Sequence, residues 1–193
     1  MPRAPEFITT RSRIAAPGIG YVHIAAIGPN TADQTTAQIA DLETKGAAKL
    51  IVDVRRTSTG EAEQGLALAR LFLAPRATLA IREQGGSVRE AIAASAGDGA
   101  IKLPTLVLLD SGTSGAAEIF ASALSGNQRA ELIGEHTIGR AAVQRLIKLP
   151  DSSGMWLSTS RYLTPAGLPL HEKGLEPALA IEEPDVEFGQ APP

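Results

Sequence analysis

An α/β fold with a mainly parallel sheet, βαβ units and a C-terminal β-hairpin is what this sequence predicts. Short β-branched runs alternate along the chain with segments of helical spacing, and those segments stop at glycine or proline. Strands alternating with helices call for crossover connections and hence parallel pairing. Near the C-terminus, Asp151-Ser152-Ser153-Gly154 separates two apolar runs at hairpin distance.

Taken in order, residues 19–27 (IGYVHIAAI) read as a buried strand behind Pro17-Gly18. Thr31 with Gln34 forms a capping-box pattern that opens a helix carrying Ala37, Ile39, Ala40 and Leu42 and stopping at Gly46. Residues 50–54 (LIVDV) form a continuous apolar run, expected to be covered on both faces. A second helix is expected over 60–74, with Leu66, Ala69, Leu71, Phe72 and Leu73 on its buried side and Pro75 as its stop. Strands follow at 77–81 and 105–109, and a helix at 116–124. The stretch 83–99 is rich in Gly, Ser and Ala and is expected as an exposed loop, or as a loop holding a short helix over 88–94. Residues 132–134, 142–149 and 155–162 read as strands, with Trp156 and Tyr162 covering the sheet. With no internal repeat and no linker, the expected organisation is an extension over 1–17, one core domain over 18–182, and an acidic, proline-containing, loosely held tail over 183–193.

The bulk numbers exclude several functions. At 193 residues, with 44% hydrophobic and 20% charged residues, the chain can bury a core and is not compositionally disordered. A net charge of −3 gives no basic surplus for nucleic acid, and the Arg55-Arg56 pair is too small a patch to change that. No apolar run approaches the ~20 residues that span a bilayer. The N-terminal MPRAPEFITTRSR lacks the apolar core of a signal peptide, so a cytosolic start or a cut end is expected. There is no cysteine, hence no disulfide and no thiolate nucleophile. His23, His136 and His171 are scattered, without the spacing of a metal-binding pair, and neither metal nor cofactor is expected.

Five segments, in order, carry a family resemblance. GIGYVHI is similar to GYIRI, LIVDVRRTSTG to LILDLRNNPGG, and DSGTSGAAEIFASAL to N-x-G-S-A-S-A-S-E-I followed by a helix. RAELIGEHTIGRAAVQ is similar to RA-x-x-V-G-E-x-T-F-G-K-G-x-V-Q, and STSRYLTPAGLPLHEKGLEPALAI to T-x-x-R-Y-Y-T-P-S-G-x-x-I followed by G-I-x-P-D. Together these resemble the catalytic core of the C-terminal processing (tail-specific) peptidases, serine peptidase family S41. The resemblance implies a crotonase/ClpP-like core, a serine nucleophile with a lysine general base, and an upstream PDZ domain that recruits protein tails. It also implies a periplasmic or other extracytoplasmic setting. Only about seventeen residues precede the core here, so either a fragment or a lineage without the PDZ module is expected.

Carried across residue by residue, the resemblance meets a degenerate site. The nucleophile position is Gly115, which cannot be acylated, and the lysine position is Arg140, which stays protonated and cannot act as a base. The N-P-G-G turn that helps form the oxyanion hole reads Thr57-Ser58-Thr59-Gly60, and an aspartate of some relatives falls on Gly126. Glu118, Arg129, Gly134, Glu135, Thr137, Gly139 and Gln144 match the pattern, as do Arg161, Tyr162, Thr164, Pro165 and Gly167. The resemblance places Gly60, Ala116 and Glu118 at the oxyanion or peptide-binding site, and Gln144 with Gly115 and Arg140 at the family's catalytic positions, none of them expected to be functional. Ser114, near Ser111 and Thr113, is expected as a helix N-cap; its alternative is a substitute nucleophile, with His136 as base or else a surface histidine. Arg140 is expected to pair with Glu118 or Glu135, and Asp53 and Arg55 are expected to be structural.

The leading expectation is therefore a pseudo-peptidase that keeps a cleft for polypeptide tails or a partner protein, bound by strand addition. A divergent active hydrolase using Ser114 is the second, and a structural or homo-oligomerisation domain the third.

Overall fold

The computed structural model describes residues 8–181; the expectations for residues 1–7 and for the stretch from Glu182 onward lie outside the described residues. Six strands form the main sheet in the order β1-β2-β3-β6-β7-β10. They are β1 (Thr10–Ala16), β2 (Ile19–Ile24), β3 (Lys49–Asp53), β6 (Thr105–Leu109), β7 (Ala130–Gly134) and β10 (Leu179–Ala180). All neighbours pair in parallel except β1, which runs antiparallel to β2. A second, antiparallel sheet has the order β5-β4-β9-β8, from β4 (Thr78–Gln84), β5 (Val88–Ala93), β8 (Ala142–Lys148) and β9 (Gly154–Leu163).

Register explains the core. Val22, Val52, Val107 and Leu132 lie side by side across the main sheet, and all are essentially inaccessible. The opposite face carries Tyr21, Ile51, Leu106 and Ile133, which are half-buried. In the run 50–54 only Ile51 is half-buried; the other four residues are buried, Asp53 on the Ile51 face included.

Three helices make the next layer: α1 (Thr31–Thr44), α2 (Ala62–Arg70) and α3 (Ala116–Gly126). Every residue of α3 from Ala116 to Leu124 is buried, the polar Glu118 and Ser122 among them, as expected of a helix enclosed on all sides. Phe120 of α3 meets Phe72 edge to face at 5.8 Å.

Several expected elements differ. The Thr31/Gln34 capping box does not form: Gln34 Oε1 accepts the Thr9 N–H at 2.9 Å, tying α1 to the start of β1. The reciprocal Gln64-to-Glu61 backbone bond caps α2 instead, at 2.9 Å. Residues 88–93 are a strand, neither loop nor helix, because Gly85 and Gly86 with φ of +57° and +76° supply a tight hairpin turn from β4. Trp156 covers no sheet and is 67% exposed. β4 reaches only Ser160 to Leu163 of β9, so among the described residues the distal half of the β8–β9 hairpin has no further strand beside it.

Buried carboxylates pin both sheets. On β4, Glu83 accepts from Arg161 Nε at 2.7 Å and Arg89 Nε at 2.9 Å. The Arg161 bond first, then the Arg89 bond, hold its carboxyl below the ordinary carboxylate range. Burial pushes Asp53 upward, but hydrogen bonds from Arg55 and Tyr21 outweigh it and leave that carboxyl low as well. A depressed folded-state pKa adds stability that is complete above the unfolded values, about 3.9–4.3, and lost as pH falls through the folded ones. Melting temperature should therefore drop as pH falls below about 4. Glu83→Gln should melt lower at pH 7 and show a shallower acid slope; parallel slopes in the two proteins would refute the assignment.

Candidate active site

The strand-to-helix turn after β6 is built by short polar contacts. Asp110 accepts the Arg56 N–H at 2.8 Å, and the Thr113 hydroxyl lies 2.9 Å from the Val54 carbonyl. Ser114 N–H donates to the Thr57 carbonyl at 3.0 Å, joining this turn to the loop after β3. Gly115 follows with φ +63° and ψ −116°, immediately before α3. An L-residue is strained in that backbone region. Space is not the obstacle, since the nearest atom to a Cβ built there is the Arg140 carbonyl oxygen at 3.8 Å.

Glu118 organises this region. It is fully buried, and its carboxylate takes hydrogen bonds from two segments. Oε2 accepts from Gly115 N at 2.9 Å and Arg140 N at 2.7 Å; Oε1 accepts from Gly139 N at 2.7 Å and Thr137 Oγ1 at 2.6 Å. Buried charge is tolerated when several donors surround it, and its place in the first turn of α3 favours negative charge. One side chain thus fixes the turn at 115 against the segment 137–140. The two positions where the resemblance expects nucleophile and base are brought into contact.

Beside them opens a cleft of about 510 Å³, lined by Gly60, Glu61, Gly115, Arg140, Gln144 and Tyr162 among others. Gly60 is held at φ +120°, where a Cβ would lie 2.3 Å from the Ile27 carbonyl oxygen, so only glycine fits that turn. The loop before it is braced by the Thr57 hydroxyl, which donates to the Ile24 carbonyl, and by the Thr59 carbonyl, which accepts Ile27 N–H at 3.3 Å. The backbone N–H groups of Gly60 and Ala116 have no hydrogen-bond partner among the described residues. Burial first, then the nearby Glu63 carboxylate, push the Tyr162 phenol above its ordinary range and keep it a neutral donor on the cleft wall.

Other sequence expectations are redistributed. Glu118 does not line the cleft; it positions the residues that do. The residue preceding α3 is Gly115, not Ser114, and the capping acceptor is Glu118 reaching back to Gly115 N–H. Ser114 is buried and is not among the residues lining the cleft. Arg140 gives Glu118 its backbone N–H and not its guanidinium, which makes no ion pair among the described residues. His136 is half exposed, 3.7 Å from Glu176, and outside the cleft wall. Gly126 ends α3 against Pro165, eleven residues along from Gly115. Among the described residues, no group of three or more His, Cys, Asp or Glu could hold a metal ion.

Sequence reasoning missed Glu61, Glu63 and Arg145, which also line the cleft. The available signal was position: Glu61 and Glu63 lie one and three residues after the constrained Gly60, and Arg145 follows Gln144.

Residues 18–181 match the sequence model of peptidase family S41. The chain belongs to family S41. Its S41 relatives include the carboxyl-terminal-processing protease of Synechocystis, 33% identical over 172 residues that make up 89% of this chain and 40% of the relative. The carboxy-terminal processing protease CtpA of Bacillus subtilis is also 33% identical, over 92% of this chain and 38% of its own length. The solved photosystem II D1 C-terminal processing protease superposes with a TM-score of 0.80 at 26% identity, covering 92% of this chain and 49% of that one. This S41 chain spans about two-fifths of the length of the curated relatives it matches.

Proposed function

We propose that this S41 domain holds extended polypeptide in its cleft without hydrolysing it. The observation that carries the reading is the pair Gly115 and Arg140, adjacent at the cleft. The first has no hydroxyl to attack a carbonyl, and the second has no neutral amine to take a proton. Its relatives are named proteases, whereas both positions that the family pattern gives to the reacting groups are altered here, and Glu118 matches that pattern.

A binding mode follows from topology. β8 is an edge strand of the second sheet, and residues 142–145 of it line the cleft, so a peptide can add as a further strand. Polypeptide tails are the proposed ligands. The test mixes the protein with tail-tagged peptides and casein: binding with no cleavage above a buffer control is expected. Cleavage abolished by Ser114→Ala would instead establish the active-hydrolase alternative, and no binding of any peptide would leave a purely structural domain.

A further inference from the structure

The cleft walls carry opposite charge. Glu61 and Glu63 come from the start of α2, and Arg140 and Arg145 from the segment entering and forming β8. Arg82 also lines the cleft but is committed to Glu90 at 2.5 Å. Elsewhere Arg55, Arg70, Arg89 and Arg161 are each bound to a carboxylate. Arg140 and Arg145, like Arg11, Arg13, Arg76 and Arg129 away from the cleft, have no carboxylate partner among the described residues; they are the two such arginines that line it.

We infer that the cleft selects peptides bearing a carboxylate, bound by Arg140 and Arg145 along the β8 edge. This rests on the peptide-binding reading above and adds a ligand class to it. A guanidinium offers a planar fork that matches a carboxylate with two parallel hydrogen bonds, which a lysine ammonium does not. Gly115 places no side chain on this part of the wall, where the nearest atom to a Cβ would be the Arg140 carbonyl oxygen at 3.8 Å, and the cleft stays open there. The opposite wall sharpens the choice. Glu61 and Glu63 repel a ligand that is anionic throughout, so a peptide with a localised negative charge fits better than inorganic phosphate or a polyanion. The carboxylate comes from an Asp or Glu side chain or from a chain terminus; both present the same group.

The test uses random decapeptide pools carrying an uncharged BODIPY label in three forms: free acid, C-terminal amide, and amide made without Asp or Glu. Polarisation titrations at physiological salt should show the last pool binding about tenfold or more weakly than the first. The amide pool reports which source supplies the group. In Arg140→Gln/Arg145→Gln the three pools should bind alike, while Arg140→Lys retains part of the preference. Neither arginine side chain has a partner among the described residues, and the Arg140 N–H to Glu118 is a main-chain bond that substitution keeps, so these variants should melt with the parent, and a matched melting curve establishes that they are folded. Equal binding of all pools by the parent protein would overturn the inference and leave the peptide cleft standing. Binding of none would overturn both.

Discussion

Replacing Glu118 by alanine is expected to destabilise the domain by on the order of 4 kcal/mol, a large share of a typical domain's 5–15 kcal/mol. The side chain is fully buried and satisfies Gly115 N–H, Gly139 N–H, Arg140 N–H and the Thr137 hydroxyl. Thr137 has a second role, accepting Leu175 N–H at 2.9 Å. Removing the carboxylate strands buried donors on two segments, each worth about 1–3 kcal/mol when unpaired. Glu118→Gln tests the same point more gently. Its amide nitrogen would face N–H groups that need an acceptor, so it too should lose about 2 kcal/mol or more. Denaturant unfolding gives both values, and a loss below about 1 kcal/mol in each would show that the network is not cooperative.

The second large effect is on chemistry. Gly115→Ser with Arg140→Lys recreates the family's two reacting side chains, yet proteolysis should stay weak or silent. The serine has room, but φ of +63° costs it about 1–3 kcal/mol. Position 140 is exposed, so a lysine there is not held in the desolvated setting that a general-base lysine needs. The turn from Thr57 to Gly60 replaces the family's glycine-rich one, and a lost oxyanion donor typically costs about a hundred- to thousand-fold in rate. Adding Thr59→Gly to the pair should therefore raise turnover well above the pair alone, measured on a quenched-fluorescence peptide. Strong turnover from the pair alone would mean that Gly60 and Ala116 already present working donors.

The parallel order of the main sheet was legible because its strands are short β-branched runs set between helices that stop at Gly46 and Pro75. β1 was not, since its outward residues are charged and polar and its strand character depends on pairing with β2. β5 was obscured because Val88, Arg89, Glu90 and Ala91 are all exposed, leaving no periodic pattern. The contact between Gly115 and Arg140 was legible only through the family motif; nothing in local spacing brings them together. What sequence could not supply was the role of Glu118. It matched the motif, but its hydrogen bonds reach 21 and 22 residues along the chain to Gly139 and Arg140, and such a hub appears only when the strands are assembled. The charge division of the cleft was hidden for the same reason, since Glu61 and Arg145 are distant in sequence.

Native mass spectrometry of the protein mixed with tail peptides reads binding and chemistry in one spectrum. The expected result is a complex whose mass is the sum of protein and intact peptide, unchanged over hours, with no covalent adduct. Peptide fragments accumulating with time, or an acyl adduct on Ser114, would contradict a cleft that binds without hydrolysis.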